Sequence, residues 1–348
     1  MHQVIKTNPF EEIPTTEEEA TALYRDLVRA RAFDKRALSL QRQGWMSSYP
    51  QFKGQEASQV GAAHAMDEED PLFPTYRANA MQIARGVPMS DILLFRRGHN
   101  EYNSDHDMPI FPQAIPIATQ IPHAAGAGMA ANYMDEDHAI LCYLGDGATS
   151  EGDFHEGLNF AGVFEVPVVF FCENNGWAIS LPRRKQTASA TIAGKADAYG
   201  FDGLRVDGND PIAVKHAVTE SIGRVRDGMP VLIESLTYRQ GAHSTSDDPS
   251  VYEHTQEDLP DWRTADPLER FETHLREGGV LDDERVATIE NEAEAELDDA
   301  VEIVEGTPRP DPEELFDSVF EEPTPPLQEQ QEWLDSWVTE RGHPDAEF

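Results

Sequence analysis

Apolar residues in the middle of the chain fall into short runs separated by polar and glycine-rich punctuation. Ile140 to Leu144 is one such run, strand-like in length, and it stops at Gly145-Asp146-Gly147. Phe154 to Phe164 has amphipathic helical spacing, and a second apolar run, Val166 to Cys172, stops at Asn174-Asn175. Leu204-Arg205-Val206 reads as a short strand ending at Asp207-Gly208-Asn209-Asp210. Pro211 then opens a helix that carries Ile212 and Val218, with His216 on its polar face. Val231 to Thr237 is the next apolar strand. Strands alternating with helices predict an α/β fold, a mostly parallel sheet covered by helices on both sides.

The flanks are patterned differently. Residues 1 to 16 hold Pro9 and Pro14 without periodicity and read as an extended arm. Thr16 caps a helix with Glu19 three places on, and Leu23, Leu27, Ala30 and Phe33-Asp34 supply its spacing. Gln41 to Ser48 reads as a turn, and Ala57 to Ala65 as a small-residue helix suited to packing on a sheet, with His64 packed or exposed rather than catalytic. Phe95 to Pro112 reads as a loop. Its His99, Asp105, His106 and Asp107 match no tetrahedral metal spacing. The stretch from Ala114 to Met134 turns helical after Thr119, and Arg183 to Tyr199 reads as loop then helix. Val286, Ile289, Ala293, Leu297, Val301 and Val304 trace one face of a long acidic helix. Pro308 to Pro312 and Pro323 to Pro326 break the chain, and Trp333, Leu334 and Trp337 are spaced to pack on a partner. The expected organisation is an arm and helix over 1–50, an α/β domain over 51–325, and a tail over 326–348.

Charge changes the picture of the surface. The 348 residues include 65 acidic and 27 basic side chains, a formal net charge of -38. Such a surface repels nucleic acid and anionic membranes, so neither is an expected partner. It also repels itself at low salt, which points to a halophilic host. No apolar segment approaches the length of a membrane span and the first residues lack a basic, apolar signal, so a cytoplasmic protein is expected. Cys142 and Cys172 lie inside predicted core strands, where reduced thiols act as small apolar fillers.

The chemistry gathers at the carboxyl ends of the predicted strands, the edge where open parallel sheets bind ligands. Asp146 and Asn175 offer hard oxygen ligands suited to Mg²⁺, which prefers few protein ligands together with phosphate oxygens. The glycines beside Asp146 let backbone N–H groups approach an anion near the start of a helix. Arg77 is a forked phosphate donor beside the Tyr76 hydroxyl. His243 stands in a polar loop, Gly241 to Tyr252, at the same edge and could donate to an anion or shuttle a proton.

Gly145-Asp146-Gly147, 26 intervening residues and Asn174-Asn175 resemble the thiamine diphosphate motif of transketolase-like enzymes. The stretches Tyr238 to Tyr252, Pro74 to Ala80 and Phe52 to Ala63 resemble the alpha subunits of heterotetrameric 2-oxo acid dehydrogenases, from about Tyr24 to about Pro326. The resemblance implies thiamine diphosphate with Mg²⁺ held by Asp146, Asn175 and the Trp177 backbone carbonyl. It implies a cradle in which Gly147 and Ala148 meet the diphosphate through backbone N–H, closed by Tyr76, Arg77 and His243, with Ile117 supporting the bent cofactor. Thr119 and Gln120 match a potassium motif, although Ala114 and Ile115 replace its two serines, and Phe111 replaces a histidine found in some relatives. Ser244 and Ser250 match positions phosphorylated in mitochondrial relatives.

The implied reaction is oxidative decarboxylation of a 2-oxo acid, with acyl transfer to a lipoyl group on the acyltransferase core of the complex. The glutamate that activates the aminopyrimidine comes from a second module in related enzymes, so a beta subunit and an α2β2 tetramer are expected. Pyruvate and branched-chain acids both remain open as substrates. So do an acetoin dehydrogenase, a non-catalytic paralogue, and another doubly wound phosphate enzyme. The acidic surface carries the first prediction: unfolding midpoints rise across a KCl series, and stability unchanged from dilute buffer to molar salt would count against a halophilic surface.

Overall fold

The structure is a computed structural model that describes residues 1–5, 9–102, 108–113, 115–251, 259–309, 314–317 and 320–342. Seven strands occur among them: β1 (Leu72–Phe73), β2 (Ile140–Gly145), β3 (Val168–Asn174), β4 (Trp177–Ala178), β5 (Leu181–Pro182), β6 (Asp202–Asp207) and β7 (Val231–Leu236). Five of them form one wholly parallel sheet in the order β1-β2-β3-β7-β6, and β4 with β5 makes a small antiparallel hairpin. Register places Gly145 of β2 opposite Glu173 of β3, and Asn174 of β3 opposite Leu236 of β7. The carboxyl ends of β2, β3 and β7 therefore finish at one level.

The helices are α1 (Glu17–Arg42), α2 (Glu56–Ala63), α3 (Asn79–Ala84), α4 (Met89–Arg96), α5 (Gln120–Met134), α6 (Gly152–Phe164), α7 (Pro211–Arg226), α8 (Asp261–Thr264), α9 (Pro267–Glu277), α10 (Asp283–Gly306), α11 (Glu314–Asp317) and α12 (Pro325–Arg341). Alternate residues of each central strand enter opposite cores. Leu141, Tyr143, Val169, Phe171 and Ile233 pack with Leu23, Leu27, Val60, Ile212 and Leu297 from α1, α2, α7 and α10. Ile140, Cys142, Leu144, Phe170 and Cys172 pack on the other face with Ile121 of α5 and Phe154 and Leu158 of α6. Burial on both faces explains the unbroken apolar runs of β2 and β3. The crossover between β2 and β3 lies on one face and that between β6 and β7 on the other, so winding reverses between β3 and β7 and opens a crevice at their carboxyl ends.

Local signals act as the sequence indicates. Thr16 and Glu19 form a reciprocal capping box, and Asp210 caps α7 with Pro211 in its first turn. His64 closes α2 and lies 2.6 Å from Asp26. Both cysteines are buried and free. No helix among the described residues is long and apolar enough to cross a membrane.

Other details differ from the pattern. β3 begins after Pro167, which has no N–H to give the ladder, and runs on through Glu173 and Asn174. In α10, Ala300 is buried as well and Val301 is only half-buried against the same core, because a 3.6-residue period drifts off a strict four-residue step. The helix expected within Arg183 to Tyr199 is a 3₁₀ helix, Ala193–Tyr199, and a short 3₁₀ turn, Arg183–Lys185, precedes it. Pro325 opens α12 instead of only breaking the chain, and α12 buries nothing, with Trp333 66% exposed. Asp105, His106, Asp107, Ala114, Tyr252, Pro310 and Pro312 lie outside the described residues.

The contact of α2 with α7 depends on Gly61, where an added Cβ would lie 2.5 Å from the Pro211 carbonyl oxygen and 2.9 Å from Val214 Cβ. Gly61→Ala is expected to cost about 1–3 kcal/mol by overpacking, read as a lower urea midpoint. An unchanged midpoint would contradict this packing.

Candidate active site

A 260 Å³ cavity lies at the carboxyl edge of the sheet, lined by residues from five chain segments. Asp146, immediately after β2, opens a 3₁₀ turn that runs to Ser150. This turn, and not the first turn of α6, presents the backbone of Gly147 and Ala148 to the cavity. Asp146 is 2% exposed. Burial pushes its carboxyl up to about 7, against the pull of Arg263 and Arg239 and of the Asp146 and Asn175 backbone N–H groups. Its Oδ2 has no partner among the described residues. An unsatisfied carboxylate oxygen out of water is costly, and a cation would relieve it.

The end of β3 and the residue after it supply two consecutive asparagines with different tasks. Asn174 donates to Glu234 at 2.7 Å and accepts from the Gly176 N–H at 3.1 Å, which ties it to the scaffold. Asn175, pointing the other way, accepts the Trp177 N–H on Oδ1 at 3.0 Å and donates from Nδ2 to Gln55 at 2.8 Å. Gly176 takes φ +90 within this turn, a conformation that favours glycine. Arg263 joins the strand ends by donating to the Thr237 and Asn174 carbonyls at 2.9 and 3.0 Å. Asp146 and Asn175 thus line one cavity, with oxygen atoms suited to a divalent cation. Among the described residues no group of three His, Cys, Asp or Glu side chains could hold a metal, so a cation here would rely on an amide, the backbone and its own ligand.

On the opposite wall, Tyr76 and Arg77 follow β1. The Arg77 guanidinium donates to the Gln51 carbonyl and, through Nη2, to the His243 carbonyl at 2.8 Å and His243 Nδ1 at 3.1 Å. Arg239 Nη1 reaches the same Nδ1 at 3.4 Å. Guanidinium groups only donate, so Nδ1 is the acceptor and the ring proton sits on Nε2. Burial, then Arg77 and Arg239, lower the His243 ring to about 4 despite Asp247. Tyr76 meets the ring edge-on at a centroid distance of 6.5 Å.

Every candidate residue therefore lines this cavity: Tyr76, Arg77, Ile117, Gly145, Asp146, Gly147, Ala148, Asn175, Trp177 and His243. Ile117 is 45% exposed beside Ala118, which takes φ +73. Thr119 donates to the Pro116 carbonyl at 3.0 Å, and Gln120 Oε1 is buried with no partner among the described residues.

Several residues at the site escaped the sequence reading. Glu173 also lines the cavity, and burial raises its carboxyl to about 7 although Tyr143 donates to it. Gln59 donates to the Arg77 carbonyl at 3.1 Å and to the Tyr143 hydroxyl at 3.2 Å. A charge ending an apolar strand and two glutamines four apart in a small-residue helix were the available signals.

Fold and crevice together define a doubly wound α/β protein whose strand ends gather a cation-seeking carboxylate opposite anion-seeking guanidinium groups. The chain belongs to the dehydrogenase E1 component family, whose sequence profile matches residues 24–313. It is 44% identical over 323 residues to the 3-methyl-2-oxobutanoate dehydrogenase subunit alpha of Mycobacterium tuberculosis, covering 91% of this chain and 87% of that one. It is 37% identical over 329 residues to the 2-oxoisovalerate dehydrogenase subunit alpha of Bacillus subtilis, covering 91% and 99%. Identity is also 37% over 321 residues to the pyruvate dehydrogenase E1 component subunit alpha of Staphylococcus aureus, covering 91% and 86%.

A lowered histidine gives a signed expectation. The unfolded chain takes up the His243 proton at about 6.5, before the folded chain does at about 4. The stability contributed by this group is complete above the first value and lost as pH falls toward the second. In ¹⁵N NMR, His243 should keep the Nε2–H tautomer from pH 8 to 5; a charged ring at pH 6 would contradict the arrangement.

Proposed function

We propose that the chain is the alpha subunit of a thiamine diphosphate-dependent 2-oxo acid dehydrogenase that acts with a beta subunit. The observation that carries the reading is the unsatisfied Asp146 Oδ2, in one cavity with Asn175, Arg77 and His243. Asp146, Asn175 and the Trp177 carbonyl are assigned to Mg²⁺. The Gly147 and Ala148 N–H groups, carried by the 3₁₀ turn, are assigned in this reading to the diphosphate, with Tyr76, Arg77 and the Nε2–H of His243 completing its cage. Ile117 supports the cofactor from the exposed side, and a potassium ion would meet the buried Gln120 Oε1.

Thiamine diphosphate, when bound, supplies the electron sink for loss of carbon dioxide from the substrate. The chain's own residues bind its charged end, exclude water there and hold a proton on His243 Nε2, available to a diphosphate or substrate oxygen. Acyl transfer to a lipoyl group of the acyltransferase core belongs to the same reading. The identity of 44% to a 3-methyl-2-oxobutanoate dehydrogenase subunit, against 37% to a pyruvate dehydrogenase subunit, favours a branched-chain acid. The alpha-subunit names of these relatives support a beta-subunit partner, and an α2β2 assembly belongs to the same proposal. The exposed α12, carrying Trp333, offers a surface for the partner.

The test is 2-oxo acid-dependent reduction of an artificial electron acceptor by the chain co-purified with its partner, with Mg²⁺ and thiamine diphosphate in molar KCl. Asp146→Ala should abolish turnover, and His243→Ala should lower kcat by roughly 10²–10⁴. Cofactor binding without turnover of pyruvate, branched-chain acids or 2-oxoglutarate would overturn the reading.

A further inference from the structure

α2 is built mainly from small side chains, yet Gln55 at its start and Gln59 one turn on are fully buried. Both bond to the same face of β3 and the turn after it, two residues apart. Gln55 Oε1 accepts from Asn175 Nδ2, and Gln59 Nε2 reaches Glu173 Oε2 at 3.4 Å.

The assignment of atoms at Asn175 is forced. The Trp177 backbone N–H can only donate, and it lies 3.0 Å from Asn175 Oδ1. Nδ2 must therefore face α2, where Gln55 Oε1 is its acceptor at 2.8 Å. That leaves Gln55 Nε2 buried with no partner among the described residues. A buried unsatisfied donor destabilises a fold, so a glutamine here is poorly explained by stability alone.

Its placement is rigid as well. The Gln55 N–H donates to the Phe52 carbonyl at 2.9 Å, and the Phe52 N–H donates to buried Asp34 at 3.0 Å. Gly54 between them takes φ +89 against the Tyr238 carbonyl.

We propose that Gln55 is a positioning residue, which locks the Asn175 amide with its oxygen turned toward the divalent cation of the cofactor site. The proposal rests on the thiamine diphosphate reading given above. Half a turn of the amide would present Nδ2 to both the cation and the Trp177 N–H, and Gln55 Oε1 opposes that turn by holding Nδ2. Partners that orient a metal-binding group affect metal affinity without touching the metal.

The experiment is a Mn²⁺ titration followed by electron paramagnetic resonance, on the chain co-purified with its partner and saturated with thiamine diphosphate. Gln55→Met removes the acceptor at similar length, and Gln55→Glu keeps an acceptor oxygen. Gln55→Met should weaken Mn²⁺ binding by roughly tenfold to a hundredfold, whereas Gln55→Glu stays within about threefold of the unmodified chain. Gln55→Met leaves the buried Asn175 Nδ2 without an acceptor and Gln55→Glu buries a carboxyl, so both should melt below the unmodified chain, and affinities are compared at a temperature where all three are folded. Gln55→Ala provides the same comparison if Gln55→Met fails to assemble. Unchanged Mn²⁺ affinity in the truncating variant, or equal weakening in Gln55→Glu, would overturn the positioning role. No Mn²⁺ binding by the unmodified chain would instead overturn the cofactor reading, and this proposal with it.

Discussion

A carboxylate removed from water must be met by positive charge or by hydrogen bonds, and Asp146 is not fully met by either. Arg263 and Arg239 act on it electrostatically, but burial outweighs them. The site depends on that imbalance. β2 brings Asp146 to the sheet edge, and Arg263 ties the ends of β3 and β7 together. The parallel register then sets Asn175 at nearly the same level. Under the proposed reading, a divalent cation bound there would turn a cost of folding into a reason for binding and would favour an anionic cofactor beside it.

Charge of the opposite sign is gathered just across the cavity. In a chain of net charge -38, Arg77 and Arg239 converge on His243, and Arg77 is 93% buried. The two guanidinium groups give an anion a local partner at the wall of a cavity that also holds Asp146, Glu151 and Glu173. Burial together with the same two arginines keeps the histidine neutral, and their hydrogen bonds to Nδ1 fix its tautomer. The alternation of β3 separates two tasks: Asn174 serves the scaffold through Glu234, while Asn175 and Glu173 face α2 and the cavity.

The sheet was legible because strands buried on both faces leave apolar runs that short-range reading detects, as at Ile140 to Leu144 and Val231 to Thr237. The residues proposed for the metal and the diphosphate could be picked out as candidates because they follow strand ends in short motifs, and all of them line one cavity. Gln55, Gln59, Glu173 and Tyr143 were not singled out, since their roles exist only once α2 lies across β3, a contact between residues more than 80 positions apart. The approach of Gly147 and Ala148 through a 3₁₀ turn also escaped, because glycine beside a predicted helix does not fix where that helix begins. Ala300 was missed for a related reason: counting in steps of four loses phase over a long helix, so the core takes Ala300 as well as the half-buried Val301.

The most direct measurement is calorimetric titration of thiamine diphosphate into the chain co-purified with its partner, with Mg²⁺ and again in EDTA. The account predicts saturable binding that requires the divalent cation and disappears in Asp146→Asn. Equal binding in EDTA, or full retention of binding by Asp146→Asn, would contradict the claim that the buried carboxylate organises the site.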